Sequence, residues 1–163
     1  MEQLGIDPSY YAMAMADALA FLHWVAKVDG NDVEFVLAQQ RDQSDTSLSR
    51  IQFEGRSFSN INILGPHTMW VLDFDLCRVL TLDESGIDQA SNAFWGNDPF
   101  YPRPGSLITA NQKLWNLFED RFLESSAKVM ATESDQVKRL PKMLIEKIKQ
   151  AKAIASGSEI GDC

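Results

Sequence analysis

The sequence predicts an α+β fold, mostly helical, with one small antiparallel β-hairpin. Three observations carry that expectation. The run from Ala12 to Leu22 is apolar nearly all round and helical in length. Val33–Ala38 and Thr68–Asp73 are short runs of β-branched and aromatic residues, which favour strands. The C-terminal half then holds amphipathic stretches of helical period. A chain of 163 residues, 45% hydrophobic, is long enough for one domain with a substantial core, here placed at 1–155 with a tail at 156–163.

The elements follow in order. Asp7 can cap a helix whose first position is Pro8, and that helix should run to about Lys27. Its alanines would let neighbours approach closely. Asp29-Gly30-Asn31-Asp32 breaks the pattern as a turn before the first strand. Gln39–Ser49 is polar loop, Ile51–Phe53 reads as a short strand, and Ile61, Ile63 and Leu64 have strand character. The strands around Phe35 and Val71 should pair across this long insertion. A helix from Asp83 to about Trp95 presents Ile87, Ala90 and Phe94 on one face. Gly96–Gly105 is a loop stiffened by three prolines. Asn111–Met130 is an amphipathic helix with Leu114, Leu117, Phe118, Phe122 and Leu123 inward, and Pro141–Ala155 a final helix with Leu144, Ile148 and Ala151 as its stripe.

Charge narrows the function. A net charge of −8 argues against wrapping nucleic acid or lying on an anionic membrane. No run approaches the ~18 apolar residues of a membrane span. The start, Met1-Glu2-Gln3, lacks the basic opening of a secretion signal, so a cytoplasmic protein is expected. Cys77, Cys163, His23 and His67 are scattered and do not make zinc-ligand spacing.

Chemistry concentrates in Val71-Leu72-Asp73-Phe74-Asp75-Leu76-Cys77-Arg78. Strand alternation would put Asp73 and Asp75 on one side and Phe74 on the other. Two close acids can hold a hard cation, share a proton, or act as acid and base; in an ordinary turn both are simply solvated. Glu34 lies within an apolar strand. It either faces solvent or needs a cation, a proton, or a partner such as Arg78 or Lys27. His23 can be a packed, hydrogen-bonded residue or a base. Trp24, Trp70, Trp95 and Tyr101 are either core or pocket wall, and Arg103 either clamps an anion or caps a carbonyl.

Three motifs carry a resemblance. They are Val28-Asp29-Gly30-Asn31-Asp32-Val33-Glu34-Phe35-Val36-Leu37-Ala38, Met69-Trp70-Val71-Leu72-Asp73-Phe74-Asp75, and Asn97-Asp98-Pro99-Phe100-Tyr101-Pro102-Arg103-Pro104. Over roughly residues 1–125 the chain resembles a fungal kinase-like family of unknown function whose members are often labelled "zinc finger protein". More broadly it resembles the C-terminal lobe of small-molecule kinases. The resemblance implies a protein-kinase-like C-lobe in which Asp29 stands at the catalytic-loop aspartate and Asp73 at the metal-binding aspartate. Glu34 replaces the metal-binding asparagine, Asp75 the glycine after the Asp-Phe pair, and Lys27-Val28 the usual histidine region. Seven residues precede the first helix, so the N-lobe with its Gly-rich loop and lysine is expected to be absent.

Three functions follow as expectations. The first is a small-molecule enzyme on a degenerate kinase-like scaffold, with Asp29, Asp73 and Asp75 catalytic. In it, clustered carboxylates would drive isomerisation, cyclisation or elimination of a small apolar molecule in fungal biosynthesis, without a cofactor. His23, Trp24, Glu34, Trp70, Trp95, Tyr101 and Arg103 would bind substrate. No metal is expected, and Asp73 with Glu34 would hold Mg²⁺ were one bound. Asp29→Asn and Asp73→Asn should then abolish turnover at an almost unchanged melting temperature. The second is a pseudokinase-like binding or scaffold module, with a homodimer or partner on the surface that a missing N-lobe exposes. The third is Mg-ATP phosphotransfer completed by another chain.

Overall fold

A computed structural model describes residues 7–39, 67–97 and 101–158, with backbone alone for residue 39 and for 152–158. The elements run α1 (Pro8–Phe21), a π-helical turn (Leu22–Ala26), β1 (Glu34–Gln39), β2 (His67–Leu72), α2 (Glu84–Gly96), α3 (Thr109–Val129), a 3-10 turn (Val137–Arg139) and α4 (Leu140–Ser158). The fold is α+β and mostly helical, with one two-stranded antiparallel sheet. The readings of Gln40–Ser49, Ile51–Phe53, Ile61–Leu64, the Asp98–Phe100 part of the proline loop and the last five residues of the tail lie outside the described residues.

Helix α1 begins as its sequence dictates, with the Asp7 carboxylate accepting from the Ser9 N–H at 2.9 Å and Pro8 in the first turn. Ala12, Ala16 and Ala20 are buried at a four-residue spacing, so α1 offers α3 a face of small side chains. Into it α3 packs Phe118 and Phe122, both fully buried. The inward face of α3 is turned from the expected stripe. Trp115, Phe118, Phe122 and Ser126 are buried, whereas Leu114, Leu117 and Leu123 are only partly so. The Ser126 hydroxyl explains part of the rotation, since it accepts from the Trp24 indole N–H at 2.8 Å across the core. Asp17 on α1 binds Arg121 on α3 through two parallel bonds of 2.7 and 2.8 Å and also accepts from the Ser125 hydroxyl.

The continuous helix expected to Lys27 instead widens into the π-turn after Phe21. Lys27 then takes a left-handed conformation (φ 56°), and the chain leaves with the Val28 N–H donating to the Leu22 carbonyl at 3.0 Å. In the hairpin Val36 lies opposite Trp70, Phe35 opposite Val71 and Glu34 opposite Leu72. Phe35 is buried and faces Tyr101, while Met69 and Val71 pack on the same core. On α2, Ile87, Ala90 and Phe94 are all buried as the pattern predicts, and α4 covers this helix with Leu144, Ile145 and Ile148.

Candidate functional site

The turn between α1 and β1 is where separate parts of the chain meet. Residues Lys27–Asp29 run antiparallel to Arg78–Leu80. Val28 bridges Val79, the Asp29 N–H donates to the Arg78 carbonyl at 3.0 Å, and the Leu80 N–H donates to the Lys27 carbonyl at 2.8 Å. This short ribbon buries the Asp29 side chain completely. Gly30 (φ 65°) and Asp32 (φ 64°) both take left-handed conformations, which glycine adopts freely and aspartate tolerates.

Four donors fill the Asp29 carboxylate. Oδ1 accepts from the backbone N–H of Asn31 at 3.1 Å and of Arg78 at 2.9 Å. Oδ2 accepts from Arg78 Nε at 2.8 Å and Gln89 Nε2 at 2.9 Å. Burial pushes the carboxyl upward, but the Arg78 backbone N–H, the Gln89 amide, the Asn31 N–H and the Arg78 guanidinium together outweigh it. The group is therefore held below the usual carboxylate range. A carboxylate has about four acceptor positions, so none is left for a substrate hydroxyl.

Helix α2 grips the turn from both ends. Gln89 reaches Asp29 and also donates to the Val79 carbonyl at 3.1 Å. Asn97, at the C-cap, accepts from the Asp32 N–H at 2.7 Å and donates to the Gly30 carbonyl at 2.8 Å. Arg103 caps rather than clamps: Nη2 donates to the Asn97 carbonyl at 2.9 Å while the guanidinium rests 5.1 Å from the Trp95 ring. Trp95 is half-buried and donates to the Ile148 carbonyl at 3.3 Å.

His23 lies beneath the turn, fully buried, with Nε2 donating to the Asp29 carbonyl at 3.3 Å. Desolvation, opposed by that bond and by the Asp29 charge, lowers its pKa to about 4, so the ring is neutral at physiological pH. Its Nδ1 has no partner among the described residues. Trp24 is buried against Phe122, and Tyr101 is buried among Phe35, Phe94 and Phe118. The structure places His23, Trp24 and Tyr101 in the core rather than on a pocket wall.

The acids do not form the expected single cleft. Glu34 faces outward opposite Leu72, and Arg78, a candidate partner for it, belongs to Asp29. Asp73 and Asp75 are exposed. Strand alternation does not extend to them, because β2 ends at Leu72 and Asp73 turns left-handed (φ 59°). Trp70 is 47% exposed on the outer face of the hairpin. Some convergence remains around Cys77, a half-buried free thiol whose Sγ lies 3.7 Å from the Asn31 carbonyl. Burial first, and then the charges of Asp29, Asp32 and Asp73, push this thiol upward.

Sequence reasoning missed Gln89 and Asn97. A signal existed for both: a carboxylate that follows a buried helix must find donors, and amide side chains on the next apolar-striped helix are natural suppliers.

These features define an α+β domain organised around one buried, fully bonded carboxylate. A family model described as "Zinc finger protein" matches residues 69–134, which covers most of β2 and all of α2 and α3. No curated protein and no solved structure matches the chain. The described residues do not fit the zinc that the description implies. His23 is committed to the Asp29 carbonyl, His67 pairs with the Tyr11 hydroxyl, and no group of three or more His, Cys, Asp or Glu among them is placed to hold a metal ion. Nor is any helix among them long and apolar enough to cross a membrane.

Proposed function

We propose that this chain is a non-catalytic binding module on a kinase-C-lobe-like scaffold, in which Asp29 organises structure and performs no proton transfer. The observation that carries the reading is the filled carboxylate: four donors on Asp29, with its side chain fully buried. The order of parts supports the scaffold, since a buried helix leads to Asp29, an antiparallel hairpin follows, and Asp-Phe-Asp stands at the hairpin exit. Glu34, at the position of a kinase's metal-binding asparagine, points outward. That weakens the case for Mg²⁺ held between it and Asp73.

Melting experiments on two variants test the reading. Asp29→Ala strands the Asn31 and Arg78 amide donors and is expected to cost about 3 kcal/mol. Asp29→Asn turns an amide NH₂ toward Arg78 and Gln89, both donors, and is expected to cost about 2 kcal/mol. Wild-type melting in both variants, together with stabilisation of the protein by millimolar Mg-ATP, would overturn the proposal in favour of phosphotransfer completed by another chain.

One observation favours acid–base chemistry as the second reading. Asp29, Asp32 and Asp73 all act electrostatically on the Cys77 thiol, so acids from two segments do gather near one point. There Asp73 and Asp75 would carry the chemistry on a small apolar molecule, with Asp29 holding the turn. Under this reading Asp73→Asn abolishes turnover without changing the melting temperature.

A further inference from the structure

The outer face of the hairpin is apolar and takes no part in the Asp29 network. Val36 (38% exposed) lies directly opposite Trp70 (47%), and Leu72 (43%) lies opposite Glu34 on the same face. Phe74 (48%) and Leu76 (56%) are exposed in the turn that follows. Soluble proteins seldom present so much apolar side chain together unless something covers it. Among the described residues each strand has a single sheet partner.

The charges around this face select the occupant. Glu34 stands on it, and Asp73 and Asp75 follow it, all three exposed. Arg78, the nearest cation in sequence, is engaged by Asp29. A second copy docked by the same face would set these acids against their own counterparts, in a chain that already carries a net charge of −8. An anionic bilayer would be repelled for the same reason. We infer that the Val36–Trp70–Leu72 face docks an extended segment of a partner protein in which an apolar stretch is flanked by lysine or arginine. The apolar stretch covers the indole while the cations at its ends meet Glu34, Asp73 and Asp75. The inference rests on the binding-module reading and names the partner's chemistry.

The test titrates the full chain with a short synthetic peptide of valines flanked by lysines, read by calorimetry, beside a peptide of the same length with glutamates in place of the lysines. The lysine peptide is expected to bind and the glutamate peptide not to. Trp70→Ala should weaken binding about tenfold, and Asp75→Asn several-fold. Salt at about 0.5 M should weaken it further. Glu133→Gln, which removes an exposed acid elsewhere, should leave it unchanged. Trp70 is also half-buried beside Val36, so Trp70→Ala should lower the melting temperature modestly, and binding is compared well below the variant's own transition, which separates lost docking from lost folding. The inference is overturned by equal binding of the two peptides, by equal losses in Asp75→Asn and Glu133→Gln, or by no binding at millimolar peptide. A sizing profile in which Trp70→Ala converts dimer to monomer would assign the face to a second copy instead. Co-sedimentation with phosphatidylserine vesicles that Trp70→Ala abolishes would assign it to lipid. These results are separable from the Asp29 melting test: a fully stable Asp29→Ala chain that still binds the peptide would remove the structural role of Asp29 and leave the docking face standing.

Discussion

His23 shows how one buried side chain makes the molecule sensitive to acid. Its imidazole is neutral and fully enclosed, with a pKa lowered to about 4 from an ordinary 6.5. The unfolded chain takes up the proton first as pH falls, so the stability His23 contributes is complete above about pH 6.5 and is lost progressively toward pH 4. Over that window the loss is about 3 kcal/mol. Asp29 has its own pKa depressed, so its contribution also fades on acidification, at pH values below the His23 window. Urea unfolding at pH 7 and pH 4.5 should show the drop, and His23→Gln should flatten it while lowering stability at pH 7. An unchanged slope would mean that His23 is not the titrating group. At this scale the sequence was only partly legible. A histidine next to Trp24 at the end of an apolar helix can be read as packed, but nothing local to Asp29 says that it is enclosed. Its burial comes from Arg78 and Gln89, remote in sequence.

The helices were legible because each carries its signals locally. Asp7-Pro8 opens α1, and the Ile87–Ala90–Phe94 stripe sets the face of α2. The exceptions have physical causes. The π-turn at Leu22–Ala26 leaves no periodicity signature, and the rotation of α3 toward Trp115 depends on what α1 presents to it. Gly86 fixes how α2 starts. A Cβ there would come within 1.9 Å of the Thr81 carbonyl oxygen, which is backbone and cannot swing aside. Gly86→Ala is therefore expected to destabilise by about 2–3 kcal/mol despite the better helix propensity of alanine. A melting point at or above wild type would show that the Thr81 turn relaxes freely. Between α1 and α3, Asp17→Ala removes a bidentate partner from Arg121 and an acceptor from Ser125. Both charged groups are partly solvated, so a loss of about 1–2 kcal/mol is expected, falling with added salt.

Across the whole molecule, sequence and structure agree on the α+β class and on a hairpin closed across a long insertion. They part over the acids. Alternation applied beyond Leu72 would have aligned Asp73 with Asp75, but the left-handed turn at Asp73 removes the premise. What the chain builds instead is a closed polar knot at the Asp29 turn and a separate exposed apolar face on the hairpin. The two are expected to differ in how they respond to mutation, changes in the knot moving stability more than changes on the face.

The knot also sets a timetable. The Asn31 and Arg78 amides are held by a carboxylate that α2 in turn holds through Gln89, so loosening the helix should loosen both. In deuterated solvent those two amides should exchange as slowly as the innermost amides of α3, although they belong to loops, and their exchange should quicken in step when Gln89 is shortened to alanine.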